Sequence, residues 1–203
     1  MRIRNHYCSG GTDNECGERA MKRRFLLLAT VALAGCASPA VHYYRLAAVP
    51  GAVRGGTGLR VCVRSIGVPG GIAQTGLPLP GGPYAADSFA NDVWAAPLAD
   101  MLQGAMVQNL EQRLPGDIVL AGSGAIGAAP DIYVEINVLG FSPDVAGNIQ
   151  LLAQLATRHA AAQDWRLRNF SATLAGGTTP EGIAAAMSAL WGQAADIAAG
   201  MVS

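Results

Sequence analysis

The sequence predicts an α+β fold, within the broader α/β class, in which two helices cover one face of a single sheet. Three observations support this class. Apolar residues alternate with polar ones along several short segments, and they recur at helical spacing along two longer segments. Hydrophobic residues also make up 51% of the 203 residues, whereas charged residues make up 14%. We therefore expect a two-layer sandwich built on one mixed or antiparallel sheet.

The N-terminal region has the pattern of a secretory signal. Basic residues follow Met21, an apolar stretch runs from Phe25 to Leu33, and the string Leu33-Ala34-Gly35-Cys36 comes at its end. A basic start, a short apolar core and small residues at the end define a signal peptide. The last four residues resemble the lipobox of bacterial lipoproteins. The pattern predicts a lipoprotein signal over residues 21–35, acylation of Cys36 and a lipidated tether over residues 36–40; an ordinary signal peptide is the alternative.

Residues 1–20 do not fit the signal pattern. They are polar and precede Met21, which would begin a conventional signal peptide. We expect translation to start at Met21, with the upstream residues arising from a start codon assigned too early; a genuine extension is the alternative. The spacing of Cys8 and Cys16 matches no common zinc site.

Residues 41–203 are expected to form a single domain. A first strand is predicted over Val41–Leu46, where β-branched and aromatic residues are concentrated. A second, half-buried strand is predicted over Leu59–Arg64 because apolar and polar residues alternate there. The Gly- and Pro-rich stretch from Pro69 to Pro83 then predicts a surface loop without regular structure.

This loop carries a group of apolar side chains. Ile72, Leu77 and Leu79 lie within it, and Tyr84 follows directly after it. Apolar groups on a long surface loop usually mark an interaction surface or a lid over the core. We expect these four residues to contribute to self-assembly or to docking on a partner. The alternative is that they cover the sheet edge or pack on the first helix.

The remaining elements follow from periodicity and from end signals. A helix is predicted over Asp92–Leu114, capped by Asn91 or Asp92 and ended by Pro115-Gly116. A closing helix is predicted over Pro180–Met201, with Thr179 as its N-cap. Four strands are expected between these helices, over residues 117–120, 131–141, 149–157 and 165–174.

Patterns that could indicate catalysis or cofactor binding are not supported by the residues around them. Gly122, Gly124 and Gly127 spell a dinucleotide-binding motif, but Pro130 and a predicted strand follow instead of the helix that the motif needs.

The candidate catalytic residues also lack the local structure that catalysis would need. His159, Asp164 and Ser171 lie on one predicted hairpin without a sharp turn to expose the serine. Asp131 and Glu135 share a strand face but have no further support as a catalytic pair. We therefore expect a non-catalytic protein without metal or cofactor.

The charge balance bears on the partners. The chain has 14 basic and 14 acidic residues, whereas phosphate binding needs a dense basic face. This composition argues against nucleic acid as a partner.

Several segments together resemble a known family. These segments are the lipobox, Tyr43-Tyr44-Arg45-Leu46, the strand Leu59 to Pro69, Val93-Trp94-Ala95-Ala96-Pro97-Leu98, Asn109 to Pro115, Asp131 to Ile136, and the helix from Met187 to Ile197. In order and spacing they resemble the ABC-type transport auxiliary lipoproteins, the PqiC-like group. The resemblance extends over essentially the whole chain after Cys36.

The resemblance implies a lipoprotein on the periplasmic face of the outer membrane, held there by its N-terminal lipid. It implies an inner-membrane partner with MCE domains and a permease, acting together in lipid transport between membranes and in envelope integrity. Ala37 follows Cys36 in place of the Asp that commonly retains lipoproteins at the inner membrane, which favours outer-membrane sorting. Assembly into a homo-oligomer remains a hypothesis. The alternative function is a carrier that holds an acyl chain between sheet and helices.

Overall fold

The computed structural model describes residues 39–203. The strands are β1 (His42–Tyr44), β2 (Arg60–Gly67), β3 (Gly76–Pro78), β4 (Ser88–Trp94), β5 (Ile118–Ala121), β6 (Ile132–Pro143), β7 (Asn148–His159) and β8 (Arg166–Ala175). The helices are α1 (Leu98–Arg113), between β4 and β5, and α2 (Pro180–Val202), after β8. The α+β class is confirmed. The predictions for residues 1–20, for the signal over 21–35 and for Cys36 lie outside the described residues.

A five-stranded mixed sheet forms the larger layer. Its strand order is β5-β2-β6-β7-β8, with β2 parallel to both β5 and β6 and with antiparallel pairing across β6, β7 and β8. Buried and exposed residues alternate along β6 and β7, as expected for strands with one face in the core. The predicted alternation over residues 131–141 and 149–157 is thus confirmed.

A second, three-stranded sheet corrects the expectation of a single sheet. Its order is β1-β4-β3, with β1 parallel and β3 antiparallel to β4. The segment from Ser88 to Trp94 is therefore a strand, and the first helix begins at Leu98 after Pro97, six residues later than predicted. Neither Asn91 nor Asp92 caps it. The physical reason is that proline disfavours helical backbone at the preceding residue, here Ala96, while β1 and β3 supply strand partners.

Both helices pack on the five-stranded sheet and on each other. Helix α1 contacts β2 and β5, and α2 contacts β7, β8 and β6. Trp191 of α2 is fully buried, and its indole Nε1 donates a hydrogen bond to the Leu102 carbonyl oxygen of α1 at 2.9 Å. Its ring centre lies 6.4 Å from that of Phe141 on β6. The helices and the sheet therefore share one core.

The start of α2 agrees with the sequence prediction. Thr179 is the N-cap, and its side-chain oxygen accepts a hydrogen bond from the Gly182 backbone N–H at 3.2 Å. Pro180 and Glu181 occupy the first turn, where a fixed φ and a negative charge are favourable. Among residues 39–203, no helix combines the length and apolar character needed to cross a membrane.

Candidate functional site

The Gly- and Pro-rich segment is divided between core and surface. Leu77 lies in β3 and is fully buried, so it belongs to the core and not to an exposed patch. Ile72 is half-buried and packs on the same core. Leu79 remains 40% exposed, and Tyr84 is fully exposed. The expectation of a loop without regular structure is wrong for Gly76–Pro78, which pairs with β4, with Gly76 opposite Val93 and Pro78 opposite Ser88.

A cavity of about 520 Å³ lies between this segment and the end of the β6–β7 hairpin. Trp94, Leu98, Phe141 and Met187 contribute buried apolar walls. Leu79 from the β3–β4 loop and Val145 from the hairpin turn also line it while remaining partly open to solvent. Polar side chains border the cavity as well, among them Asp87, Ser88, Gln150 and Thr173.

The hairpin turn that carries Val145 is held by its own hydrogen bonds. The Asp144 carboxylate accepts from the backbone N–H groups of Ala146 and Asn148 at 2.8 and 2.9 Å and from the Asn148 side chain at 3.0 Å. The bonds from Asn148 hold the pKa of Asp144 below its usual range. Gly147 has φ +78°, a conformation that side chains disfavour. Val145 is therefore presented at 74% exposure by a well-defined turn.

Residue Val145 was not among the sequence-predicted site residues. The spacing Asp144-x-x-Gly147-Asn148 between two alternating segments is a turn signal that could have placed Val145 at a hairpin tip. Nothing local could have placed that tip beside the β3–β4 loop, because the two segments are distant in sequence.

The small sheet is attached to α2 by a tyrosine. The Tyr44 hydroxyl donates a hydrogen bond to the Glu181 carboxylate at 2.9 Å, and His42 Nδ1 lies 3.1 Å from Asp92 Oδ1. Partial desolvation and the hydrogen bond to Glu181 raise the pKa of Tyr44 to about 12. The Tyr43-Tyr44-Arg45-Leu46 segment thus has a structural function in this fold, with Leu46 buried in the core.

A buried arginine joins the two helices to the loop that follows β1. Arg113, 1% exposed, donates from Nε to Asp196 at 2.7 Å and from Nη2 to the Gly192 carbonyl at 3.0 Å. Its Nη1 donates to the carbonyls of Val49 and Asn109, both at 3.0 Å. A guanidinium has five N–H donors in a rigid fork, which suits such a convergence of acceptors.

The outer face of the five-stranded sheet carries ion pairs. Asp131 pairs with Arg60 at 2.8 Å, and Glu135 with Arg64 at 2.6 Å. The hydrogen bonds from Arg60 lower the pKa of Asp131 to about 2. Each of the two carboxylates is thus paired with its own arginine of β2.

The residues considered for catalysis or cofactor binding are not assembled into a site. Ser171 pairs with Leu152 in the ladder between β7 and β8, and His159 pairs with Ile132 at the far end of β7. His159 and Ser171 therefore lie at separate points along the β7–β8 hairpin. Gly122, Gly124 and Gly127 are followed by β6 and not by a helix.

Comparison with known proteins adds to this geometry. The model of the family described as the ABC-type transport auxiliary lipoprotein component matches residues 44–199, from the last residue of β1 into the last turn of α2.

This chain belongs to the ABC-type transport auxiliary lipoprotein family.

Relatives of this auxiliary lipoprotein include the intermembrane transport lipoprotein PqiC of Escherichia coli K12 and that of Shigella flexneri. Each is 28% identical over 144 residues, covering 68% of this chain and 75% of the relative.

Two solved structures are similar in fold to the auxiliary lipoprotein. One is described only as an uncharacterized protein, with a TM-score of 0.68, 21% identity and coverage of 81% of this chain and 100% of its own. The other, from Xanthomonas campestris, has a TM-score of 0.65, 17% identity and coverage of 81% and 94%.

Proposed function

We propose that this auxiliary lipoprotein is anchored in the outer membrane through Cys36 and faces the periplasm. There it acts as a non-catalytic component of an MCE- and ABC-type system that moves lipids between membranes and supports envelope integrity. The observation that carries the proposal is the family match over residues 44–199 directly downstream of the Leu33-Ala34-Gly35-Cys36 string. The PqiC relatives are named intermembrane transport lipoproteins, which supports the transport role.

The anchoring part of the proposal follows from the chemistry of acylation. Each buried acyl CH₂ contributes about 0.8 kcal/mol, so that two or more chains give stable attachment where one chain gives only marginal binding. A Cys36 that carries two or more acyl chains would therefore anchor the protein without a spanning helix. Ala37 after the cysteine favours sorting to the outer membrane.

The non-catalytic part rests on the arrangement of polar groups. The charged side chains of the described residues are mostly committed to the fold, with Arg113 holding Asp196 and Arg60 holding Asp131. Such an arrangement suits a rigid adaptor that docks onto an inner-membrane protein with MCE domains and its permease.

Membrane fractionation tests the anchor. Cys36→Ser is expected to move the protein from the outer membrane to the soluble periplasmic fraction, because the thioether cannot form. Cys62→Ser is the matched control, since Cys62 lies in β2 and should leave localisation unchanged. A Cys36→Ser protein that still sediments with outer membranes would show that anchoring comes from elsewhere.

Affinity purification after chemical cross-linking in cells tests the partnership. We expect the wild-type protein to recover an MCE-domain protein and its permease, and the Cys36→Ser variant to recover much less. A strain lacking the gene should become sensitive to detergents and regain resistance with the wild-type gene only. Recovery of neither partner would contradict the transport assignment.

The cavity supports a second candidate function, that of a lipid carrier. Its volume of about 520 Å³ falls in the range typical of small-molecule sites. It lies between the β3–β4 loop and the hairpin turn and reaches one end of the helix–sheet interface at Leu98, Phe141 and Met187. Deeper between sheet and helices the described residues leave no such space, because Leu102, Leu110 and Trp191 are fully buried there.

A fluorescent fatty acid tests the carrier function. Ala86 lines the cavity, so Ala86→Trp should fill it and reduce binding of the probe, whereas Ala161→Trp in the β7–β8 turn should not. The carrier function is abandoned if the wild-type protein does not bind the probe, or if both variants bind it equally.

A further inference from the structure

One end of the molecule exposes three apolar side chains around the cavity. Tyr84 is fully exposed, Val145 is 74% exposed and Leu79 is 40% exposed. Leu79 and Val145 both line the cavity, and Tyr84 lies between the lining residues Pro83 and Ala85. The three side chains therefore belong to one rim, which we call the apolar rim. In the described part of the chain nothing covers it.

The register of β1 shows that the N-terminal chain leaves from this same end. β1 runs parallel to β4, with His42 opposite Asp92. β4 begins at Ser88, four residues before Asp92, so the N-terminal end of β1 is directed toward the end of the small sheet where β4 begins. The loop that carries Leu79 and Tyr84 joins β3 to β4 at that end.

The length of the tether limits how far the rim can lie from a membrane anchor. Cys36 precedes His42 by six residues. Six residues of fully extended chain span at most about 20 Å. A lipid on Cys36 therefore keeps this end of the domain close to the bilayer surface, while the opposite end of the five-stranded sheet is free to face the periplasm.

The charges at this end decide what kind of membrane contact is available. The sequence contains neither Lys nor Arg between Arg64 and Arg113 or between Arg113 and Arg158. Of the acids at this end, Asp144 accepts backbone N–H groups and Asp92 contacts His42, whereas Asp87 lines the cavity and is exposed. Electrostatic attraction to anionic lipid is thus absent here, and any contact with lipid must come from apolar and aromatic groups.

We propose that the apolar rim of Leu79, Tyr84 and Val145 is a membrane-contact surface, seated in the headgroup region of the bilayer that holds the Cys36 lipid. Tyrosine is well suited to this position because its ring is apolar and its hydroxyl remains hydrated. The contact orients the domain so that the cavity lies next to the bilayer. The inference rests on the proposed function, because acylated Cys36 supplies the local anchor.

The test places an environment-sensitive dye on single cysteines of the acylated full-length protein in phosphatidylethanolamine–phosphatidylglycerol vesicles. Tyr84→Cys and Val145→Cys are each made together with Cys62→Ser, so that the introduced cysteine is the one thiol that reacts with the dye. The acylated Cys36 does not react, because its sulfur is a thioether. Leu167→Cys is the matched control: Leu167 is also 74% exposed and pairs with Ala156, far along β7 from the hairpin turn. The readouts are the emission maximum and quenching by nitroxide-labelled lipid.

We expect both rim probes to shift to shorter wavelength and to be quenched, the Leu167 probe to remain in water, and added salt to change neither result. Rim probes as accessible as the Leu167 probe in anchored protein would overturn the proposal. Protection of the rim without lipid quenching would also overturn it, because a second copy or a protein partner would then cover the rim.

A second arm separates this inference from the anchoring proposal. The Cys36→Ser protein carrying the same probes is titrated with vesicles. The Tyr84 probe should respond to lipid, and Val145→Glu should weaken this binding about tenfold, as expected for the loss of one buried aliphatic side chain. If mass spectrometry finds no lipid on Cys36, the anchoring proposal fails, and the vesicle titration alone then tests whether the apolar rim contacts lipid. The absence of any response to lipid overturns the inference.

Discussion

The guanidinium of Arg113 and the carboxylate of Asp196 join the end of α1 to α2 at a distance of 2.7 Å. Arg113 is almost completely buried, whereas the Asp196 side chain is about one-third exposed. The same guanidinium also holds the Val49 carbonyl, so the loop after β1 is tied to both helices at one point. Gly51 lies against this guanidinium so closely that a side chain there would collide with it.

Replacing Arg113 by Met should therefore lower the free energy of unfolding by about 3 kcal/mol, because several buried acceptors lose their donor. Urea denaturation of the two proteins measures the difference. Arg64→Met is the control, since Arg64 forms an exposed pair with Glu135 and should cost about 0–1 kcal/mol. Equal losses in the two variants would show that the buried hydrogen bonds of Arg113 contribute no more to stability than an exposed ion pair.

Serine substitutions at Leu77 and Leu79 should differ strongly in how much stability they cost. Leu77→Ser places a hydroxyl in a fully buried site and should cost about 2–5 kcal/mol. Leu79→Ser should change stability by about 0.5 kcal/mol or less, because Leu79 is on the surface. Thermal melts distinguish the two variants. A large loss of stability in Leu79→Ser would mean that Leu79 is also part of the core.

The ion pair between Arg60 and Asp131 should make stability depend on pH in acid. The pKa of Asp131 is about 2 in the folded state, below the unfolded value of about 3.9. A group with a lowered pKa stabilises the fold above its unfolded pKa, and this contribution disappears as pH falls toward the folded value. Urea midpoints between about pH 5 and 2 should therefore fall less steeply in Asp131→Asn than in wild type. Identical slopes would contradict this role.

The Cys62 thiol should react slowly in the folded protein. Burial raises its pKa above the ordinary value, although the nearby Arg64 acts in the opposite direction, and the reactive species is the thiolate. Ellman's reagent near pH 8 should therefore modify Cys62 much more slowly in native buffer than in guanidinium chloride. The Cys36→Ser background leaves Cys62 as the reactive thiol after residue 36. Equal rates in the two solvents would show that the fold does not shield the thiol.

Local sequence patterns were sufficient to predict the elements that pack against the core with one face only. Residues 132–143 and 148–159 alternate because one face meets the helices, and α2 begins at Pro180 because Thr179 and Glu181 favour a helix start. The same reasoning failed at Asp92–Trp94. There the apolar spacing also suited a helix, and pairing with β1 and β3 made the segment a strand.

The sequence by itself determined the α+β class, most strands, the closing helix and the family resemblance, because these depend on short-range periodicity and on the order of motifs. Only the tertiary structure decided that Leu77 is core while Leu79 is surface, that Arg113 is buried, and that Val145 and Leu79 line the same cavity. Each of these depends on contacts between segments far apart in the chain. A side chain's burial and neighbours depend on which distant elements pack against it, and these cannot be predicted from residue type or local spacing.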